Sequence, residues 1–170
     1  MCKPLFFASA IAIAGAVLAA ASADATTWIV GGPHFFGVDI AEAANGNRIL
    51  MVGTGTFTGT DSSGTITGGG TYTVQNAAGA ILGRGTFSAT SLESFASYGG
   101  PDGVEGGKLI THVHLVSVRG DAAEGVLTVT CLVGSPPPGN HEGVNLDLSM
   151  SDGNGNNYNS SVHGETLFVR

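Results

Sequence analysis

An all-β fold in a single domain follows from three features of the sequence. Apolar and polar residues alternate with period two along most of the chain after residue 25, glycine-containing turn dipeptides separate the alternating stretches, and no window there sustains a helical apolar period. The expected architecture is an antiparallel β-barrel, with a β-sandwich as the alternative, built from about nine or ten short strands. Composition agrees with it. Gly occupies 28 of 170 positions, 11% of residues are charged and the formal net charge is −7. A hydrophobic share of 42% argues against intrinsic disorder, which requires low hydrophobicity and high charge. With 6 Lys+Arg in the chain, nucleic acid is not an expected partner, because that affinity comes from cations neutralising phosphates.

Residues 1–23 read as a secretory signal peptide. Lys3 supplies the positive start, residues 5–18 carry no charge, and Ala21-Ser22-Ala23 forms a small-residue exit with cleavage before Asp24. Ala23-Asp24-Ala25 is a second candidate exit one step on. Residues 24–170 then form the single all-β domain. Its expected location is extracellular, or periplasmic in a Gram-negative source, with no membrane contact after cleavage. Cys2 leaves with the leader, so Cys131 is the one thiol of the exported chain and no internal disulfide is expected. Leu127, Val129, Cys131 and Val133 share the more apolar face of a strand, where a free Cys behaves as a small buried hydrophobe.

The strands follow in order. The stretch 38–44 is the nearest approach to a helical pattern, but Asn45-Gly46 after it also suits a hairpin turn. In 65–74, Ile66, Tyr72 and Val74 oppose Thr65, Thr67, Thr71 and Thr73. In 81–90, Ile81, Phe87 and Ala89 oppose Arg84, Thr86, Ser88 and Thr90. In 144–150, Val144, Leu146, Leu148 and Met150 oppose Asn145, Asp147 and Ser149. Half-apolar strands of this kind fit an antiparallel sheet with one wet face. Ser63-Gly64, Gly99-Gly100 and Asp152-Gly153 offer further turns with positive φ.

Gly53-Thr54-Gly55-Thr56-Phe57 is echoed by Gly83-Arg84-Gly85-Thr86-Phe87, which suggests equivalent strands of successive hairpins. Paired glycines inside a strand signal a bend, a bulge or the close approach of another group. Phe35, Phe36, Phe57, Tyr72, Phe87, Phe95 and Tyr98 are the residues expected to line the core, or a cavity within a closed sheet.

His112 and His114 lie two apart on the strand expected over 108–118, so both imidazoles share a face about 7 Å apart and can reach one ion. Together with Gly106 before them, and with Pro137-x-Gly139-x-His141-x3-Asn145 after them, the pattern resembles the cupin family. That resemblance implies a small metal-dependent enzyme in which His112, His114 and His141 ligate a divalent metal. The sequence departs from the family pattern where its glutamate ligand would fall, at Val118 or Arg119, and in the spacing of the second motif. The plain alternative is that Leu109, Thr111, Val113 and Leu115 face the core and leave both histidines in water.

Asp152, Asn154 and Asn156 place oxygen donors at alternate positions, as calcium loops do, although His163 stands where a bidentate carboxylate belongs. Paired threonines such as Thr65 and Thr67 suggest a water-ordering array, but at intervals too irregular for stacked identical rungs. Asn159-Ser160-Ser161 is a glycosylation acceptor in a eukaryotic source. Neither a nucleophile elbow nor a phosphate loop occurs, and nothing in the sequence pairs the glutamates Glu93, Glu105, Glu124, Glu142 and Glu165. The expected function is therefore non-catalytic: binding of a small ligand or an extracellular surface, with no cofactor. The alternatives are the histidine-based metal enzyme and a structural, self-associating homo-oligomer.

Overall fold

The computed structural model describes residues 24–32, 37–148 and 157–170. The leader 1–23, Phe35 and Phe36, the calcium candidates Asp152, Asn154 and Asn156, and the Asp152-Gly153 turn lie outside these residues. The described chain forms ten β-strands: β1 Thr26–Val30, β2 Asp39–Glu42, β3 Arg48–Thr58, β4 Thr65–Gln75, β5 Ile81–Gly99, β6 Val104–Ser117, β7 Ala122–Cys131, β8 Gly143–Leu148, β9 Ser160–His163 and β10 Leu167–Val169. All pair antiparallel in one sheet, and the fold is all-β.

The long strands β3, β4, β5 and β6 pair in sequence order as a meander. The short β1 pairs with both β3 and β10, and β10 pairs with β6, so the pairing returns on itself as a ring. The ring is uneven: two residue pairs join β10 to β6, whereas eleven join β3 to β4. Outside it, β7 and β8 extend from β6, while β2 and β9 extend from β3. An isolated bridge between Leu146 and Tyr158 brings β8 to the stretch leading into β9.

Period-two alternation builds the core. Leu109, Thr111, Val113 and Leu115 of β6 are buried, as are Leu127, Val129 and Cys131 of β7 and Val144 and Leu146 of β8. Phe57, Phe95 and Phe168 stack with ring centroids 4.7, 5.2 and 6.1 Å apart, and Trp28 lies against Phe87 at 6.5 Å. Phe57, Phe87 and Phe95 are thus core, while Tyr72 and Tyr98 are half-buried. The first glycine pair has a steric cause, whereas in the second only Gly85 is crowded and nothing lies within 4 Å of a Cβ on Gly83. A Cβ on Gly55 would stand 2.0 Å from the Thr67 carbonyl and 2.7 Å from the Trp28 indole nitrogen, and one on Gly53 would stand 2.7 Å from the Phe87 ring. The glycines leave room for aromatic rings crossing the sheet's inner face.

Two local expectations change. Ile81 begins β5 at 57% exposure instead of joining the core, because β4 and β5 slip register beside it between Val74 and Gln75. At the β3–β4 turn the positive φ falls on Gly59 rather than Gly64, since the Asp61 carboxylate takes the Ser63 amide and hydroxyl and shapes the turn itself. The Asn45-Gly46 hairpin forms as expected, with Gly46 at φ 78°.

Candidate functional site

Inner and outer faces follow from the register. Phe87 and Leu115 point inward, so Thr86 on β5 and Val116 on β6, paired with each other one step along, point outward beside Thr71 of β4. One rung further, Thr73 pairs with Arg84, whose carbonyl accepts the Val118 amide at 2.9 Å. These side chains bound an outer-face hollow of about 350 Å³, with Gly85 in its floor. Its walls are valine side chains and threonine methyls, and Val118 is 72% exposed. Leu82, Val52 and Ile81 add exposed apolar surface at the same end of the sheet. Arg84 is exposed and makes no ion pair among the described residues. Tyr72 completes the surroundings, its phenol pushed above the usual tyrosine range by burial and then by the Asp121 carboxylate, and so held as a neutral hydroxyl.

The arrangement has the parts of a small-molecule site: a volume within the common range of about 300–1,000 Å³, apolar walls, and a few polar groups. A guanidinium without a carboxylate partner is a ready counterion for an anionic group.

The structure separates the histidine candidates. On β6, His112 and His114 point to the wet face, where His112 Nε2 lies 3.5 Å from Glu93 Oε2 and His114 Nδ1 lies 2.6 Å from Glu124 Oε1. His141 is exposed ahead of β8, in the wall of a different, polar hollow. Among the described residues no three His, Cys, Asp or Glu side chains form a group able to hold a metal. Asn159, the glycosylation candidate, is exposed just before β9.

Four of the five glutamates that the sequence leaves unpaired find side-chain partners, three of them on other strands or at the chain end and Glu165 two residues away. Besides Glu93 on β5 and Glu124 on β7, Glu165 lies 3.7 Å from His163, and the buried Glu105 receives Arg170 Nε at 2.5 Å together with a second guanidinium nitrogen and the Ser97 hydroxyl. Asp39 is the chief buried acid. It is fully buried, its Oδ1 accepts the Glu165 amide at 2.5 Å, and its Oδ2 has no partner among the described residues. Burial pushes its carboxyl up to about 6; the Glu165 and Gly31 amides and His163 oppose the shift, and Glu142 adds to it. Asp39 thereby ties β2 to the β9–β10 connection. Cys131 is a free, buried thiol raised above its ordinary value by burial.

Compared with known proteins, the chain matches no family model, no curated protein and no solved structure. The likeness to cupins rests on the quoted residues alone.

Proposed function

We propose that this chain is an exported, non-catalytic binding protein whose ligand is a small, mostly apolar molecule with one anionic end, seated in the hollow over β4, β5 and β6. The observation that carries this reading is the unpaired Arg84 beside Val116, Val118 and the methyls of Thr71 and Thr86. Covering a valine fully contributes roughly 1.5–3 kcal/mol, and a hydrogen bond to a charged group adds about 1.5–3 kcal/mol. Those terms offset the entropy of capturing a small ligand and leave a usable affinity.

The test is a titration with anilinonaphthalene sulfonate, which joins fused apolar rings to one anion. The expected result is one site per chain, weakened about tenfold by Arg84→Gln and abolished by Thr86→Trp, which fills the hollow. Dye emission indifferent to both substitutions refutes the assignment. Native mass spectrometry of gently purified protein would then identify the ligand retained.

The same exposed surface supports a second reading, self-association through this face. Leu82 at 53%, Val118 at 72% and Val52 at 40% exposure present apolar area of the kind that marks contact surfaces. Sedimentation over a concentration series separates the readings: a constant monomer removes the second and leaves the first intact. A metal enzyme built on His112, His114 and His141 is the least supported reading, because each strand histidine already faces its own glutamate.

A further inference from the structure

A second hollow, of about 450 Å³, lies on another part of the molecule and has the opposite chemistry. Its floor is the outer face of β6, β7 and β8, where register sets Lys108 beside Thr130 and carries Ile110 across Thr128 to Asn145. Its walls are the turn that carries Asn140 and His141 and the entry to β9 at Ser160. That turn is fastened by Asn140 Nδ2 donating to the Pro137 carbonyl at 2.9 Å. Ser161 Oγ donates to the Glu142 carbonyl at 2.5 Å and fastens the β9 entry.

Three features define what this hollow can hold. Lys108 is the only lysine among the described residues, forms no ion pair there, and has no carboxylate beside it in the lining. In a chain of net charge −7 this is a local positive site, suited to an anion. The side-chain oxygen of Asn145 is shut off from solvent and has no hydrogen-bond partner among the described residues. A buried acceptor without a donor is costly, and turning the half-buried Asn145 side chain so that this oxygen meets a ligand N–H or O–H in the hollow it lines relieves the cost. The hydroxyls of Thr128 and Ser160 add groups that both donate and accept. Among the described residues the one ring in the lining is the His141 imidazole, so a neutral sugar has no large stacking face and charge must supply most of the hold.

We infer that this hollow is a binding site for hydroxylated carboxylates of the uronic-acid class, with the carboxylate at Lys108 and a sugar hydroxyl donating to Asn145. A bare anion satisfies the ammonium and leaves Asn145 unpaired; a neutral sugar does the reverse. The inference is independent of the apolar hollow at Arg84 and stands or falls without it.

The test uses the purified chain with its lysines reductively methylated with carbon-13, titrated with sodium glucuronate, glucose and sodium sulfate and followed by the methyl signals. Methylation keeps the lysine charge, and the Lys108 signal is assigned by its absence from Lys108→Gln. Glucuronate is expected to shift that signal saturably and to bind at least tenfold more tightly than glucose or sulfate. Calorimetry is expected to show at least a tenfold weakening of glucuronate binding in Lys108→Gln and in Asn145→Ala. Ser160→Ala, an exposed change, is expected to weaken it severalfold with Trp28 emission unchanged, which guards against misfolding of the Asn145 variant. Three results each overturn the inference: no saturation at tens-of-millimolar glucuronate, sulfate binding as well as glucuronate (an adventitious ion only), or calorimetric affinity indifferent to Lys108→Gln.

Discussion

Asp39→Asn, measured across pH, examines the most unusual group in the molecule. The Asp39 carboxyl titrates at about 6 in the folded chain against 3.8 when unperturbed. The difference is roughly two pH units, equivalent to about 3 kcal/mol. Its sign follows from linkage. A carboxyl whose folded value is raised binds its proton more tightly in the folded state, so its stabilisation is complete below the unfolded value. As pH climbs from about 4 to about 6 that contribution is lost, and above 6 the folded chain carries a buried anion with one bare oxygen. Asparagine keeps the shape and the acceptor for the Glu165 amide but cannot ionise. Near pH 4 the natural carboxyl is itself protonated, so the variant, which exchanges a hydroxyl for a buried NH2 with one more donor to satisfy, is expected to match it or trail by about 1 kcal/mol. Near pH 7.5 it is expected to be more stable by about 2 kcal/mol. Urea unfolding followed by the emission of Trp28, the single tryptophan and fully buried, reads both states. The comparison between variants matters because the net charge of −7 also erodes stability as pH rises, but equally in both chains apart from the one charge removed. Stability curves that run parallel from pH 4 to 7.5, or a variant that loses ground as pH rises, would refute the reasoning.

Three further outcomes follow from local geometry. Gly55→Ala drives a Cβ into the Thr67 carbonyl and the Trp28 indole and is expected to cost at least 3 kcal/mol by urea titration, whereas Gly83→Ala, with nothing within 4 Å, is expected to be neutral or stabilising by about 0.5 kcal/mol. Glu105→Gln removes the charge that Arg170 and Ser97 share at a 2% exposed position, and a loss of about 2 kcal/mol is expected in the same assay. Cys131, buried with its thiol pushed up, is expected to resist a maleimide in the folded chain and to react at once in urea; rapid labelling of folded protein would contradict its burial.

The strands were legible because the alternation that marks them is also what buries them: Leu127, Val129 and Cys131 read as one face and form one face. Closure of the ring was not, since β1 meets β10 only after almost the whole chain has intervened. The ion pairs divide along the same line. His114 opposite Glu124 can be found by counting equal steps back from the Arg119-Gly120 turn, because β6 and β7 pair without a slip. His112 and Glu93 cannot, because β5 shifts register between Ala89 and Ser91 and again between Leu92 and Ser94. The same two bulges spoil any sequence-based alignment of Arg84 with its neighbours on β6, so the apolar hollow, which needs three strands in register, left no local pattern. Asp39 and the Glu165 amide meet across 126 positions, beyond reach of any periodicity.

The place of the two hollows has a common cause in the core. A sheet that closes over itself can hold a ligand inside only where its inward side chains leave free volume, and here the glycines that make room inside are used at once by large rings. Gly53 admits the Phe87 ring and Gly55 admits Trp28, while Phe57, Phe95 and Phe168 interlock at the other end of β3. The two hollows are left to the outer face, where the alternation that fills the interior sets one outward side chain at every second position. On β4 to β6 those positions carry threonine, valine and one unpaired arginine; on β6 to β8 they carry lysine, threonine and asparagine. β6 contributes to both, with Val116 near one end and Lys108 near the other, so substitutions at either end of this one strand test the two proposed sites separately.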